Sequence, residues 1–515
     1  MKKAKKASRR IPPASHEGKV KIRLLPTGVR GLDEIIGGGL PEFSFSIIAG
    51  APGCGKTTMA HQIIFANATP ARPALYFTVL GEPALKMLRY QQQFSFFDPA
   101  KINKSVRFFN LSYIVMEEEL DGVLEAITRE VETYRPGIVV VDSFRNVTRE
   151  ALIENEGADL QGFLQRLAML MTSWEATTFL IGEYSDRSFR NDPVFTVADG
   201  LLLLTQNVER NSVVRKLQIM KLRGQESVPG LHSIRITSDG LRAFSRLPGP
   251  QLSKRGLQGR RLLSIGLPDV DQMMGGGIRE GDSVLVSGPS GSGKSALATH
   301  FLAEGIRRGE PGIAALFEER PEGYAVRAAS FGLDFVTPQR NGMLELLYLR
   351  PLDLSVDEIM QEILDAARRL KAKRLVIDSL VGFEMALAPG FREDFRESLY
   401  RLIAALTVSG VTIFTTVEIE DTFTSMQLSR YTISFLTDDI IRLRYAEIDG
   451  QLRKVMVVIK MRGSNHSKDI REYVISNKGF EVISPRKTDY TRMTTGIPEW
   501  SGKAVELPPE PKVKA

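Results

Sequence analysis

The sequence predicts an α/β fold in which two similar domains follow one another, each with a mostly parallel β-sheet flanked by helices. At 515 residues the chain is too long for one hydrophobic core and suits two large domains. Apolar β-branched runs such as GIVVVD alternate with amphipathic stretches such as DGVLEAITREVETY. A third observation is an internal repeat with a period of about 238 residues.

The repeat preserves the order of its parts. Residues 27–42 (TGVRGLDEIIGGGLPE) resemble residues 265–280 (IGLPDVDQMMGGGIRE). Further along, GIVVVDS matches RLVIDS, and KLQIMKLRG matches VVIKMRG. Because each unit is itself as large as a domain, this pattern indicates a duplicated domain and not a solenoid.

Composition sets the expected boundaries. We expect a basic flexible tail at residues 1–20, a first domain at 21–248, a linker at 249–258, a second domain at 259–483 and a polar tail at 484–515. Strand and helix alternate within each domain, which favours a parallel sheet covered on both faces.

The bulk composition excludes several classes of protein. Six Lys and Arg residues fall in the first ten positions, so the folded part is nearly neutral despite a net charge of +7, and nucleic acid is not expected as a partner. The single cysteine, Cys54, excludes an internal disulfide and a multi-thiolate zinc site. No apolar run is long enough to span a membrane, and a cytoplasmic location is expected.

Two glycine-rich loops carry the chemistry. GAPGCGKT (50–57) and GPSGSGKS (288–295) both match G-x-x-x-x-G-K-[ST] between a predicted strand and a predicted helix. Backbone N–H groups and a helix N-terminus would hold the phosphates of ATP there. The predicted nucleotide-binding residues are Gly50, Gly53, Gly55, Lys56, Thr57 and Thr58 in the first domain, and Gly288, Gly291, Gly293, Lys294, Ser295 and Ala296 in the second.

Mg²⁺ is expected beside each loop. The hydroxyls of Thr57 and Ser295 would contact the ion, and Asp142 and Asp378, each at the end of an apolar strand, would hold it directly or through water. Glu318 is a further candidate ligand in the second domain.

ATP hydrolysis also needs a group that activates water. Glu318 and Glu319 follow an apolar run that we expect to lie beside the phosphate-loop strand, and they are the candidate bases of the second domain. The first domain has VLGEP at this place. Matching the prolines puts Leu80 and Gly81 opposite the glutamates, whereas the offset of the later motifs puts Glu82 opposite Glu318, and Glu82 is our candidate base there.

Further candidates lie near the ends of strands. Glu183 and Glu418 follow TTFLIG and TIFTTV and are candidates for a third carboxylate at each site. The repeated basic motif supplies Lys221 with Arg223 and Lys460 with Arg462, which in a ring would reach a neighbour's nucleotide as an arginine finger. Cys54 is interpreted as a small filler of its loop.

These residues together resemble the two-domain KaiC proteins, RecA-like ATPases of the bacterial circadian-clock type. The resemblance covers residues 21–483, and its most specific stretch is KMRGSNHSKDIREYVISNKG at 460–479. It implies a double-ring homohexamer with ATP and Mg²⁺ between subunits, hydrolysis in the first ring, and autokinase and phosphatase chemistry in the second. Clock or signalling regulators are possible partners.

The resemblance also implies a phosphoacceptor. The family has an adjacent Ser-Thr pair before a T-D-x-I-I strand, and the text here is RYTISFLTDDIIRL, so Ser434 matches the serine while Phe435 replaces the threonine. Two other readings stay open. One is a DNA-dependent motor of the recombinase or helicase kind, and the other is an ATP-gated scaffold with vestigial hydrolysis.

Overall fold

A computed structural model describes residues 22–79, 84–117, 120–145, 160–184, 194–209, 212–246, 260–349, 355–385, 394–419, 437–448, 451–476 and 479–483. The chain forms two compact units, and the first ends at Arg246. Each unit contains one nine-stranded sheet and one two-stranded sheet.

The first unit is built around strands β1 to β11. They are β1 Leu24–Leu25, β2 Leu40–Pro41, β3 Phe45–Gly50, β4 Ala74–Thr78, β5 Val106–Asn110, β6 Ile138–Asp142, β7 Thr177–Gly182, β8 Gly200–Glu209, β9 Ser212–Leu222, β10 Leu231–Thr237 and β11 Gly240–Phe244. Its helices are Leu32–Ile35, Lys56–Asn67, Ala84–Gln91, Ser112–Glu117, Leu120–Tyr134, Leu160–Ser173 and Val194–Val197, with a 3₁₀ turn at Pro99–Lys101. The main sheet has the order β5-β4-β6-β7-β3-β8-β9-β10-β11.

The second unit repeats this plan. Its strands are β12 Leu262–Leu263, β13 Ile278–Arg279, β14 Ser283–Gly288, β15 Gly312–Leu316, β16 Leu344–Tyr348, β17 Arg374–Asp378, β18 Thr412–Glu418, β19 Asp439–Ile448, β20 Gln451–Lys460, β21 Arg471–Ser476 and β22 Gly479–Val482. Its helices are Pro268–Met273, Lys294–Arg307, Pro321–Ser330, Val336–Arg340, Val356–Leu370, Leu380–Met385 and Asp394–Val408.

The order of the second main sheet, β16-β15-β17-β18-β14-β19-β20-β21-β22, matches the first strand for strand. In both sheets the first six strands are parallel, and the last three form antiparallel pairs. The predicted fold class, two tandem parallel sheets flanked by helices, is confirmed.

Both faces of each sheet are buried, which explains the unbroken apolar runs in the sequence. Strand β3 shows the pattern, because Ile47 packs into the core beneath the helix Leu160–Ser173 and Ile48 into the core beneath the helix Lys56–Asn67. Alternate residues of a strand point to opposite faces, so one strand contributes to two cores. The two cores hold the strand carrying the phosphate loop rigidly in the centre of the sheet.

One expectation about the sheet was wrong. The strand β15, which precedes Glu318 and Glu319, does not lie beside the phosphate-loop strand β14, because β17 and β18 lie between them. The helix Lys294–Arg307 carries the chain across two positions, and the later strands fill the gap. The glutamates still reach the site, because parallel strands end at the same edge of a sheet.

Within the described residues, no helix is both long and apolar enough to cross a bilayer.

Candidate nucleotide-binding sites

Each phosphate loop connects the central strand to the N-terminus of a helix. Gly55 (φ 105°) and Gly293 (φ 96°) stand at the N-caps of the helices Lys56–Asn67 and Lys294–Arg307, and neither helix has a side-chain cap. The uncapped N–H groups of the first turn therefore point into the loop, where phosphate oxygens are suitable acceptors.

The lysine of each loop folds back on the loop. Lys56 Nζ donates to Gly50 O at 3.0 Å and Ala51 O at 2.8 Å. Lys294 Nζ donates to Gly288 O at 3.0 Å and Pro289 O at 2.8 Å. The two loops therefore have the same internal geometry.

The glycine preceding each lysine is required by both conformation and space. Its positive φ is unfavourable for side chains with a Cβ atom. A Cβ at Gly55 would also lie 2.9 Å from Ile236 Cδ1, and one at Gly293 would lie 2.3 Å from Ile475 Cδ1. Both isoleucines belong to the antiparallel end of the sheet, which closes over the loop.

In the first domain, Asp142 is held by two hydroxyls. Thr57 Oγ1 donates to Asp142 Oδ2 at 2.8 Å, and Tyr76 OH donates to the same oxygen at 2.6 Å. Burial raises the pKa of Asp142, and these hydrogen bonds act in the opposite direction. Glu183 is close enough for its charge to raise the pKa of Asp142 further, so this carboxylate also lies at the site.

In the second domain, Asp378 has different partners. Thr416 Oγ1 donates to Asp378 Oδ1 at 2.6 Å. Arg327, on the helix Pro321–Ser330, lies with its Nη2 3.9 Å from Asp378 Oδ2. The same nitrogen is 2.7 Å from Glu319 Oε2, so one guanidinium bridges two carboxylates.

The two candidate bases of the second domain have different surroundings. Ser379 Oγ donates to Glu318 Oε1 at 3.2 Å, whereas Glu319 is paired with Arg327. Burial raises the pKa of Glu319, Arg327 lowers it, and Asp378 raises it. The ion pair therefore gives Glu319 a fixed partner.

Three carboxylates converge on the second lysine. Burial lowers the pKa of Lys294, and the charges of Glu418, Asp378 and Glu318 oppose that change. Glu418 is the last residue of β18 and pairs with Gly288 at the start of the loop. The predicted residues Lys294, Asp378, Glu318 and Glu418 are thus brought together.

The corresponding segment of the first domain favours one of the two alignments. Val79 N donates to Asp142 O, just as Phe317 N donates to Asp378 O. The position of Val79 therefore matches that of Phe317, which places Leu80 and Gly81 at the sequence positions of Glu318 and Glu319. Glu82 lies outside the described residues, and its role as a base stays a prediction.

The basic motifs lie where the parallel strands of each sheet begin, and the phosphate loop lies where those strands end. Lys221 Nζ donates to Phe195 O and Thr196 O, each at 3.3 Å, and Arg223 Nη1 lies 3.1 Å from Asp199 Oδ1. In the second domain, Lys460 Nζ donates to Thr437 O at 2.6 Å, and Arg462 Nη1 lies 3.1 Å from Asp438 Oδ1.

These contacts fix the motifs beside the first residues of the central strands. Asp199 N donates to Phe45 O, and Asp438 N donates to Ser283 O. The phosphate loop begins at the other end of the same six-residue strand. With a rise of about 3.3 Å per residue, the two ends are roughly 17 Å apart.

Cys54 is fully buried in its loop, and burial raises the pKa of its thiol. A Cβ at Gly50 would lie 2.8 Å from its Sγ, so the sulfur fills the space inside the turn. Ser434, the phosphoacceptor implied by the resemblance, lies outside the described residues.

Four site residues were missed by the sequence analysis. Tyr76, Thr416 and Arg327 carry no motif of their own, since each lies in a strand or a helix that reads as core or surface. Ser379 ends the repeated RLVIDS motif, but the motif did not indicate a role for it. The sheet order was the missing information, because it decides which strand ends are neighbours of Asp142 and Asp378.

The residues present fit MgATP. Each loop offers uncapped helix amides, a lysine, a hydroxyl and a nearby aspartate, which is the donor set that phosphates and a hydrated Mg²⁺ require. No cluster of three or more His, Cys, Asp or Glu arranged to hold a metal is found among the described residues. A phosphate-loop Mg²⁺ does not need one, because phosphate and water oxygens complete its shell.

The sheet order and the loop between β3 or β14 and the following helix define two RecA-like P-loop ATPase domains. A family model described as "ATPase: KaiC" matches residues 25–247 and again 263–487. The chain therefore belongs to the KaiC family of ATPases.

Curated relatives agree over nearly the full chain. The "Circadian clock oscillator protein KaiC" of Rippkaea orientalis is 30% identical over 492 residues, which cover 93% of this chain and 92% of the relative. Its namesake from Picosynechococcus sp. is 29% identical over 500 residues, 95% of each chain. The "Circadian clock oscillator protein KaiC 1" of Synechocystis sp. is 29% identical over 505 residues, 95% of this chain and 94% of the relative.

Proposed function

We propose that this protein is a homohexameric ATPase and autokinase. Each nucleotide would bind with Mg²⁺ at a phosphate loop, and the basic motif of the adjacent subunit would complete the binding site. The protein's role would be that of a timing or signalling protein, as the names of its relatives suggest. The first domain would hydrolyse ATP, and the second would also transfer phosphate to Ser434.

The observation that carries this proposal is the position of the basic motifs. Arg223 and Arg462 lie beside the start of the central strand, whereas the phosphate loop lies at its end. A side chain at the start of this strand cannot reach a nucleotide bound at the end of the same strand. The side chains of both arginines are mostly exposed, at 59% and 63%, so they are available to a neighbour.

In the second domain, Glu318 is the proposed general base. Its contact is a serine hydroxyl, whereas Glu319 is paired with Arg327. A base must accept a proton from water or from a hydroxyl nucleophile. Glu318 has no guanidinium partner among the described residues, so it is the better candidate. Mg²⁺, when bound, would neutralise charge on the phosphates, and Ser295 and Asp378 are the residues that would hold it.

Shared sites can be tested by mixing subunits. The Lys294→Ala variant should lose nucleotide binding in the second domain, and the Arg462→Ala variant should lose the finger. Mixed rings contain some interfaces with an intact Lys294 on one side and an intact Arg462 on the other. Second-domain turnover should therefore exceed the average of the two variants, and simple averaging would contradict the proposal.

Assembly has its own measurement. The mass of the particle, measured by light scattering with and without MgATP, should correspond to a hexamer when nucleotide is bound. A single subunit at saturating MgATP would rule out shared sites.

The autokinase activity requires a direct assay. Incubation with γ-labelled ATP and Mg²⁺ should label the unsubstituted chain and not the Ser434→Ala variant, with the Glu318→Gln variant as a second negative. Ser467→Ala, at a serine in an exposed loop, is the matched control and should be labelled normally. Label that persists in Ser434→Ala would move the phosphosite elsewhere.

A further inference from the structure

A cluster of three carboxyl groups lies next to Arg462. Asp439 is the first residue of strand β19, and Asp438 directly precedes it. Asp282 precedes strand β14, which is the parallel neighbour of β19. Asp439 pairs with Val284, two residues after Asp282. Because side chains alternate along a strand, Asp282 and Asp439 fall on the same face of the sheet at its edge.

The cluster is buried and tied to the basic motif. Asp439 is 1% exposed, and its Oδ1 accepts a hydrogen bond from the backbone N of Arg462 at 3.3 Å. Its Oδ2 has no hydrogen-bond partner among the described residues. A buried carboxylate oxygen without a donor is costly when ionised, so this oxygen is a natural place for a proton.

The charged groups around the cluster come from every element that packs on it. Arg260 Nη1 is 3.1 Å from Asp282 Oδ1, and Arg279 donates to Gly463 O in the loop that carries Arg462. Lys460 and Arg462 approach from the end of β20. These four cations face three carboxyl groups.

The first domain provides an internal comparison. Arg223 pairs with Asp199 at the same 3.1 Å as Arg462 with Asp438, and Phe45 N donates to Asp199 as Ser283 N donates to Asp438. However, the positions of Asp439 and Asp282 are taken by Gly200 and Ser44. Arg462 therefore has an acidic pair, Asp282 and Asp439, beside it. The equivalent positions beside Arg223 carry no acidic side chain.

We propose that Asp282 and Asp439 are positioning residues for Arg462: when both carboxyl groups are ionised they hold the guanidinium on its own subunit, and when one carries a proton they release it toward the neighbour. The functional consequence rests on the proposed role of Arg462 as a finger. The positioning itself does not.

Titration near neutral pH is consistent with this arrangement. Burial raises the pKa of Asp439 to about 7, and the charge of Asp282 adds to the rise. Burial also raises the pKa of Asp282 to about 6, and Asp438 adds to it, while Arg260, Arg279 and Arg462 oppose it. The pair Asp282 and Asp439 therefore gains negative charge as the pH rises through neutrality.

The test is the rate at which phenylglyoxal modifies Arg462, measured by peptide mass spectrometry in nucleotide-free full-length protein. Arg223 is the internal reference, because its partner Asp199 is equivalent to Asp438 and lies at the same distance. The ratio of the Arg462 rate to the Arg223 rate cancels the general pH dependence of the reagent. We expect this ratio to fall several-fold from about pH 6 to about pH 8.

The variant Asp439→Asn should keep the ratio flat, and Asp282→Asn serves as a second variant should the first fail to fold. Asp469→Asn removes the same charge from an exposed position nearby and should leave the fall unchanged. A ratio in the unsubstituted chain that does not change with pH, or that falls equally in Asp439→Asn, would overturn the proposal.

A separate measurement isolates the finger itself. If the modification ratio behaves as expected but Arg462→Ala leaves ATP turnover intact, the acidic pair positions Arg462 and the proposed finger role fails. If Arg462→Ala lowers turnover but the ratio is flat, the finger role holds and the acidic pair does not control it.

Discussion

Tyr76 OH donates to Asp142 Oδ2 from strand β4, on one side of the aspartate's strand, whereas Thr416 donates to Asp378 from strand β18, on the other side. The strand register places Ala314 at the position of Tyr76, and Ile181 at the position of Thr416. In each domain one hydroxyl thus comes from a strand next to that of the aspartate, and the two domains use opposite neighbouring strands.

Tyr76→Phe removes the donor in the first domain. Loss of that hydrogen bond should raise the pKa of Asp142 further, since the bond now opposes the effect of burial. Mg²⁺ binding requires the ionised carboxylate, so the acid limb of first-domain turnover should move to higher pH. A hydrogen bond to a charged group is worth about 1.5–3 kcal/mol, which predicts a loss of Mg²⁺ affinity of roughly tenfold or more.

Magnesium titrations of ATP turnover would measure this effect. They would use the double variant Glu318→Gln, Glu319→Gln, so that only turnover of the first domain is followed. Tyr113→Phe, at an exposed tyrosine, is the matched control. An unchanged magnesium dependence in Tyr76→Phe would show that Asp142 does not need its tyrosine partner.

Thr416→Val is the corresponding change in the second domain. It preserves the shape of a fully buried side chain and removes the donor to Asp378 Oδ1. We expect second-domain turnover to require a higher Mg²⁺ concentration, with little change in the first domain. Thr415→Val is the control, because its hydroxyl donates to a backbone carbonyl, Val284 O, on the opposite face. Equal effects of the two variants would mean that only packing had been disturbed.

Arg327→Gln tests the division of labour between the two glutamates. Arg327 lowers the pKa of Glu319, so its removal should raise that pKa above its present, already raised value. Protonated Glu319 would then appear at higher pH. If the base Glu318 works only beside an ionised Glu319, turnover of the second domain should be lost at a higher pH on the acid side. Arg327→Lys should restore part of the original profile, because it keeps the charge.

The pH–rate profiles of the three chains, compared at saturating MgATP, would decide the point. A profile in Arg327→Gln that is lower in amplitude but unshifted would contradict an electrostatic role for Arg327.

Asp439→Asn should change stability in a pH-dependent manner. The pKa of Asp439 is raised from an unfolded value near 3.8 to about 7, so the folded chain binds more protons than the unfolded chain in this interval. Its contribution to stability is therefore greatest in acid and is lost as pH rises through about 7. The asparagine variant should be nearly neutral at low pH and stabilising at high pH, by a free energy on the order of 1–3 kcal/mol.

Urea denaturation of the full chain at several pH values, followed by a probe in the second domain, would measure this difference. A stability difference between Asp439→Asn and the unsubstituted chain that is the same at every pH would show that Asp439 does not titrate with a raised pKa.

Much of the fold and of the site could be predicted from the sequence. The repeat predicted two similar domains because the same local signals occur in the same order, and the phosphate loops predicted a strand before and a helix after each lysine. The lateral order of the strands could not be predicted, since crossover helices skip positions. This is why β15 was placed beside β14, and why Thr416 and Arg327 were missed.

The offset of the motifs illustrates the same limit. Small differences in loop length between Lys56 and Asp142 left two alignments for VLGEP. The hydrogen bond from Val79 to Asp142 and the strand register around them favour one of the two. Partners that are distant in the chain, such as Ser283 and Asp438, leave no local pattern at all.

The phosphate loop and the basic motif lie at opposite ends of the parallel strands of one sheet, so each domain has two different binding edges. A contact that joins one edge to the other edge of the next copy is head-to-tail, and it leaves one unused edge at each end of an open chain of subunits. Under the proposed arrangement only a closed circle uses every edge, so an incomplete assembly would always carry one nucleotide without its arginine and one arginine without a nucleotide.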